Sequence, residues 1–97
     1  MERDEEMLLK DFFHKIACDT RITSPHITLY VMLYCEATKT HWDIPIVIRG
    51  THIAKNCRIS RRTYDRCIRE LMDFGYLQYE PSKDPVKGSK VILKRLL

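Results

Sequence analysis

Five arginine side chains lie close together in the second half of the sequence, and their type and spacing suit one kind of chemistry. They are Arg58, Arg61, Arg62, Arg66 and Arg69. A guanidinium group is planar and always charged, and it donates paired hydrogen bonds to phosphate oxygens or to the edge of a guanine base. A row of such groups therefore favours a polyanionic partner, provided that a regular element holds them on one side.

The spacing of apolar residues in the same segment predicts that this element is an α-helix. Its apolar residues are Tyr64, Cys67, Ile68 and Leu71, at positions i, i+3, i+4 and i+7. At about 100° per residue, the opposite face carries Arg62, Arg66, Arg69 and Asp73. Ser60 is placed to cap the start of the helix, and Gly75 is placed to end it in a left-handed conformation. The sequence thus predicts a helix with arginines on its outward face.

A shorter helix is predicted immediately before it. Thr51 can cap a helix over residues 52–56, and residues 57–59 would then form a tight turn before Ser60. A short helix, a three-residue turn and a longer helix with outward arginines are typical of a helix-turn-helix.

Arg61 and Arg62 fall in the first turn of the longer helix, where the helix dipole favours acidic residues. Each exposed cation at this place costs about 0.3–1 kcal/mol. Attraction to an anion bound at the N-terminal end of the helix would offset that cost. Helices that read the major groove of DNA place this end against the duplex.

The same helix face admits a second interpretation. Three pairs of opposite charge lie four residues apart: Asp65–Arg69, Arg66–Glu70 and Arg69–Asp73. Such pairs are typical of a solvated, salt-bridged helix face. They leave Arg58, Arg61 and Arg62 without an expected local partner, and this asymmetry favours contact with a nucleic acid.

Composition and charge set the protein class. The 97 residues carry a net charge of +4, with 44% hydrophobic and 31% charged residues, as in a single compact globular domain. The positive charge lies in the C-terminal half, which suits a polyanion bound on one side. No apolar run is long enough to span a membrane and the first residues are acidic, so we expect a cytoplasmic protein. The four cysteines lack metal-site spacing, and we expect neither a metal nor a cofactor.

Two further helices are predicted in the first half of the chain. Residues 4–17 place apolar side chains on one face: Leu9, Phe12, Phe13 and Ile16. This helix could pack on its own domain or form a homodimer, and the sequence leaves both interpretations open. Ser24 as N-cap with Pro25 after it predicts a second helix to about Thr38, which is apolar nearly all round and therefore central to the core. Tyr30 is expected to keep its hydroxyl near the surface.

Short strands complete the predicted fold. Residues 44–49 read as a short edge strand that Gly50 breaks. Residues 76–96 read as a β-hairpin, with Val91 and Leu93 facing opposite to Ile92 and Lys94. Its connecting loop is basic and contains Lys83, Lys87 and Lys90.

The order of these elements resembles that of winged helix-turn-helix DNA-binding domains. The resemblance covers residues 24–97, after an N-terminal helix and connector in residues 1–23, and rests most on ISRRTYDRCIRELMDFGYLQYEP. Among these domains the chain is most similar to small bacterial transcriptional regulators and to the N-terminal domains of plasmid and phage replication initiators, often found on mobile elements. Initiators usually continue into a second domain, so the end at Leu97 favours a stand-alone regulator or accessory factor. The implied fold is mainly α with a small β-hairpin (α+β).

The resemblance implies binding to double-stranded DNA, with a recognition helix at about 60–74 in the major groove and a wing hairpin at about 76–96. The residues implied to read bases are Arg61, Arg62, Asp65, Arg66 and Arg69. Those implied to lie near the DNA backbone are Arg58, Ser60, Thr63, Lys83, Lys87 and Lys90. Sequence-specific binding would serve transcriptional regulation, or an accessory role in replication or mobility.

Two other functions compete with DNA binding as interpretations of this sequence. A winged-helix module that binds protein instead would usually lose positive charge on this face, whereas its outward residues here have a net charge of +2. An enzyme would need a nucleophile or an acid–base pair in a suitable setting, and Tyr64, the candidate nucleophile, falls on the apolar face. We therefore expect no catalytic site.

Overall fold

The computed structural model describes residues 2–40, 45–82 and 88–96, which form four helices and a three-stranded antiparallel sheet. The helices are α1 (Glu2–Ile16), α2 (Ser24–Thr38), α3 (Gly50–Cys57) and α4 (Arg61–Asp73). The strands are β1 (Ile46–Ile48), β2 (Leu77–Glu80) and β3 (Ser89–Leu93). The predicted α+β class is confirmed. No helix within these residue ranges combines the length and apolarity that a bilayer crossing requires.

Strand β3 lies in the middle of the sheet, because the strand order is β1-β3-β2. Ile46 pairs with Val91, and Leu77 pairs with Leu93, so all three strands contribute buried side chains to the same face. The antiparallel pairing of the two predicted hairpin strands is confirmed, and Val91 and Leu93, predicted to share a face opposite to Ile92, are the two buried residues of β3. β1, predicted as a short edge strand, pairs with the second strand of that hairpin.

Helix α2 is the centre of the core, as predicted, and packs against α3 and α4. Its N-cap is Thr23 and not Ser24. The reason is that His26 occupies the third helical position, where its Nδ1 accepts the backbone N–H of Thr23 at 3.0 Å. The predicted position of the Tyr30 hydroxyl is wrong: it is buried and has no hydrogen-bond partner among the described residues.

Helix α1 is rotated relative to the prediction. The expected inward face was Leu9, Phe12, Phe13 and Ile16. The structure buries Leu8 and Phe12 completely and leaves Phe13 47% exposed. Phe12 stacks on Tyr30 with 3.9 Å between ring centroids, and the buried Asp11 accepts a hydrogen bond from Arg95 at 2.6 Å. These two contacts turn the 8–11–12 side of the helix inward.

The connection between α1 and α2 is fixed to the end of α4. The Asp19 carboxylate accepts hydrogen bonds from Nε of Arg21 at 2.8 Å and from the Tyr76 hydroxyl at 2.7 Å. Arg21, and then Tyr76, hold the pKa of the Asp19 carboxyl well below its usual range. The Arg21 guanidinium also lies 4.1 Å from the centre of the Phe74 ring. The first two helices are thereby tied to the segment that follows α4.

Candidate nucleic-acid interface

Helix α4 is held with one face in the core and both ends capped. Its buried residues are the four predicted from spacing: Tyr64, Cys67, Ile68 and Leu71. Ser60 Oγ accepts the backbone N–H of Thr63 at 3.0 Å and donates to Thr63 Oγ1 at 3.0 Å, which confirms the predicted N-cap. Gly75 has φ +87°, and the following Tyr76 N–H donates to the Leu71 carbonyl, so the helix ends in a Schellman motif. The opposite face is therefore held toward solvent.

Helix α3 begins at Gly50, earlier than predicted, and lies directly against α4. A Cβ at Gly50 would fall 2.7 Å from Cε2 of Tyr64 and 2.8 Å from Cζ of Arg61. The missing side chain is what allows this close approach, so Gly50 starts a helix where a strand break was predicted. Arg58 ends α3 in a left-handed conformation with φ 60°. The turn between the two helices comprises residues 58–60.

The exposed face of α4 carries Asp73 and three arginines, which are Arg62, Arg66 and Arg69. At about 100° per residue these three side chains lie within an arc of about 60° on the helix. Among the described residues, Arg62 and Arg69 have no ion-pair partner, and the same holds for Arg58 in the turn. This arrangement leaves unneutralised guanidinium groups on a single solvent-facing surface.

Arg61 is anchored, so the prediction that it lacks a local partner is wrong. Its Nη1 donates to Thr51 Oγ1 at 2.9 Å, and its Nε donates to Asp65 Oδ1 at 3.1 Å. Its guanidinium also lies 5.5 Å from the centre of the Tyr64 ring. Asp65 thus pairs back to Arg61, whereas the sequence predicted a pair with Arg69. Arg61 joins the first turns of α3 and α4 and has little freedom to reorient.

Arg66 belongs to a chain of hydrogen bonds that begins in the core. Its Nη1 donates to Glu70 Oε1 at 3.0 Å, which is one of the predicted pairs. The same oxygen is 2.9 Å from Nε2 of His26, a side chain that is only 2% exposed. The backbone N–H of Thr23 can only donate, so His26 Nδ1 accepts it and the ring proton lies on Nε2. His26 therefore donates to Glu70, and Glu70 positions Arg66.

This hydrogen-bond pattern also bears on metal binding. Ligand atoms of His26, Cys67 and Glu70 lie within 4.8 Å of one another. However, Nδ1 of His26 uses its lone pair to accept the Thr23 N–H, and a metal at Nε2 would have to displace the only ring proton. Burial also raises the pKa of the Cys67 thiol, which opposes the thiolate that a metal requires. The cluster is better suited to hydrogen bonding than to holding a metal ion.

A basic groove beside α3 was missed by the sequence analysis. It has a volume of about 630 Å³ and lies between the start of α3, Arg61 and the ends of the hairpin strands. Its basic lining residues are Arg49, His52, Lys55 and Arg61. The signal was available, because Arg49 directly precedes α3 and His52 and Lys55 follow a helical spacing of three along it. The groove extends the positive surface from α4 toward the sheet.

Of the three predicted hairpin lysines, Lys90 lies within the described part of the chain. Lys83 and Lys87 lie outside the described residues. Lys90 is exposed and belongs to β3, where it is paired with Val47 on β1 and Glu80 on β2. It is a strand residue on the outer face of the sheet, whereas the sequence placed it in the loop.

Tyr64 has none of the features of a nucleophile. Its side chain is 1% exposed, and its hydroxyl has no hydrogen-bond partner among the described residues. Burial raises the pKa of this hydroxyl above its usual value, so it stays protonated. The ring instead packs beside Gly50 and Arg61, where it supports the contact between α3 and α4.

Known proteins offer no independent guide to this surface. Comparisons with protein-family models, with curated proteins and with solved structures each found no match to this chain. The candidate interface is therefore defined by its own geometry: the exposed arginines of α4, the turn before it and the basic groove beside α3.

Proposed function

We propose that this protein binds double-stranded DNA in a sequence-specific manner, with α4 as the recognition helix in the major groove. One observation carries the proposal: Arg62, Arg66 and Arg69 occupy one narrow, exposed arc of a helix whose other face is buried. The major groove is about 12 Å wide and admits an α-helix, and its guanine edges accept paired hydrogen bonds from arginine. Because α4 is fixed at both ends, it presents these arginines to a binding partner in a defined orientation.

The proposal includes a winged helix-turn-helix architecture. Helix α3, the turn at residues 58–60 and α4 would form the helix-turn-helix, and the β2–β3 hairpin with β1 would form the winged sheet. The element order and the antiparallel pairing support this interpretation. In this setting the protein would regulate transcription, or assist replication or movement of a mobile genetic element.

Backbone contacts are assigned to the residues around the start of α4. Arg58 in the turn is exposed and without an ion pair in the described chain, and Arg61 is fixed beside the basic groove. The Ser60 hydroxyl caps the helix and donates to the Thr63 hydroxyl, and both groups lie at the N-terminal end of α4, where phosphates are favoured. Lys55 lies on the same groove. Such contacts set the register on the duplex, while base contacts give specificity.

A second candidate function is a winged-helix module that binds protein. It is favoured by the ion pairs Arg61–Asp65 and Arg66–Glu70, which neutralise part of the α4 surface. The arginines outside these pairs, Arg58, Arg62 and Arg69, favour DNA. The two functions differ in what happens at low salt, where only a nucleic-acid binder gains strongly in affinity for a duplex.

The test is binding to a mixed-sequence DNA duplex, followed by fluorescence anisotropy over a series of salt concentrations. The variant Arg62→Ala/Arg69→Ala removes two exposed cations from α4. Its matched control, Lys39→Ala/Lys94→Ala, removes two exposed cations at the end of α2 and after β3. We expect the wild-type affinity to fall steeply with salt. On a mixed-sequence duplex, where no particular base is read, these two arginines are expected to face phosphates, so the α4 variant should flatten the salt slope by about two units.

A second measurement distinguishes base reading by α4 from non-specific electrostatic attraction to DNA. For a duplex selected from a random library, loss of each base-reading arginine should cost about 1–3 kcal/mol. Equal losses in the α4 variant and the lysine control would show that only net charge matters, and the proposed orientation of α4 would be wrong. No binding by the folded wild type at low salt would favour the protein-binding module.

A further inference from the structure

Helix α1 leaves large apolar side chains in solvent on the side that faces away from the core. Met7 is 41% exposed and Phe13 is 47% exposed, while Leu8 and Phe12 on the inner side are fully buried. A cavity of about 750 Å³ runs along this outer side and is bounded by Tyr34 and Arg95 as well as by α1. Apolar surface collected in one concave place is typical of an interaction site.

The charges of α1 show which partner fits this surface. Two opposite charges, Glu6 and Lys10, lie on its outward side about 40° apart on the helix. Two copies packed antiparallel about the level of these residues would place Glu6 of each helix against Lys10 of the other. Two copies packed parallel would oppose like charges. The surface is therefore self-complementary for one arrangement only.

We propose that α1 is a homodimer interface, in which a second copy of this chain packs antiparallel against the outward side of α1. The symmetry axis passes at the level of residues 6–10, so that Glu6 of each copy faces Lys10 of the other. Met7 on one flank and Leu9 with Phe13 on the other supply the apolar contacts. The cavity shares no lining residue with α4 or with the basic groove. The dimer thus leaves the candidate DNA surface free.

The first test is sedimentation velocity of the full chain over a wide range of protein concentrations, without DNA. We expect the wild type to dimerise as its concentration rises. Phe13→Glu should raise the dimer dissociation constant at least about tenfold, because it puts a charge in the apolar part of the interface. Val47→Glu is the matched control, since Val47 is an apolar, 61% exposed residue on β1, away from α1. This control should dimerise like the wild type.

The second test exchanges the charges that face each other. Glu6→Lys and Lys10→Glu should each weaken the dimer, because each places like charges opposite one another. Mixing the two single variants should restore association, because one chain then offers lysines where the other offers glutamates. A salt bridge within one helix cannot produce that rescue, since mixing leaves every individual chain unchanged.

The outcomes are decisive either way. Concentration-dependent dimers that Phe13→Glu disrupts and the mixed variants restore would support the proposal. A wild type that stays monomeric at every concentration would overturn it and leave the surface to a different protein. Dimers unaffected by Phe13→Glu would also overturn it. Circular dichroism checks that the variant is folded, and Met7→Glu repeats the measurement if it is not. Failure of DNA binding would leave this result untouched, because the assay contains no DNA.

Discussion

The hydrogen bond between His26 and Glu70 joins the start of α2 to the surface of α4, and its strength can be measured by a double-mutant cycle. The single variants are His26→Ala and Glu70→Ala, and the third variant combines them. Each single substitution leaves the other partner without this bond, so the cycle isolates their interaction. A matched cycle on Arg66 and Glu70 measures an exposed pair that uses the same carboxylate oxygen.

The magnitude follows from the geometry and exposure of the two groups. Nε2 of His26 and Oε1 of Glu70 are 2.9 Å apart, and the histidine is 2% exposed. A hydrogen bond to a charged group contributes about 1.5–3 kcal/mol. Glu70 is 34% exposed, so competition from water lowers the expected coupling to about 1–2 kcal/mol. The Arg66–Glu70 cycle should give only about 0.3–0.5 kcal/mol, as exposed i, i+4 pairs do.

The assay is urea unfolding at neutral pH, followed by circular dichroism, with the free energy of unfolding obtained for all variants. His26→Ala alone should lose about 2–5 kcal/mol, because a buried side chain is removed and the bond that caps α2 is lost. If the His26 and Glu70 effects are additive within about 0.5 kcal/mol, the hydrogen bond does not couple α2 to α4. Equal coupling in both cycles would likewise refute the argument from burial.

Two further perturbations test other parts of the fold. Asp19→Asn should lower the free energy of unfolding at pH 7 and reduce its loss on acidification. The Asp19 pKa is depressed from its ordinary value of 3.8, so its contribution is complete above that pH and disappears as the pH falls further below it. Urea unfolding at several acidic pH values checks this, and curves that stay parallel for variant and wild type would contradict it. Gly75→Ala should lower the free energy of unfolding by about 1–2 kcal/mol, because alanine is strained in the left-handed conformation of this residue. No steric clash adds to this cost, since the nearest atom to an added Cβ would be Lys15 Nζ at 3.7 Å. An unchanged thermal midpoint would show that the backbone relaxes.

The elements predicted best are those whose sequence patterns involve only neighbouring residues and indicate a single buried face. Helix α4 has a single apolar stripe, a serine cap and a glycine end, and all three signals agree with one another. Helix α1 offers two overlapping apolar stripes that share Phe12, and contacts with other elements decide between them: Phe12 stacks on Tyr30, and the buried Asp11 accepts a hydrogen bond from Arg95. Since Tyr30 belongs to another helix, periodicity within α1 could not have given the correct rotation.

In the candidate site too, some features follow from residue spacing within one helix and others depend on contacts between helices. The exposed side of α4 follows from its helical spacing, and the Arg61–Asp65 pair is an i, i+4 contact within that helix, whereas the hydrogen bond of Arg61 to Thr51 depends on the neighbouring helix. The role of Gly50 also depends on a neighbour, because it is the Tyr64 ring that leaves no room for a side chain. Sequence reasoning over i, i+4 pairs could not detect either contact, since both arise from the crossing of α3 and α4.

The position of β3 in the middle of the sheet has a consequence for the order of folding. β1 and β2 are both made before β3, and neither pairs with the other. The backbone groups of residues 46–48 therefore cannot form strand hydrogen bonds until residues 89–91, more than forty positions further along the chain, lie beside them. Closing a loop of that length costs entropy that local helix formation does not. We therefore expect the helices to collapse first and the sheet to be completed last, with β1 unpaired on a growing chain until its final strand has been synthesised.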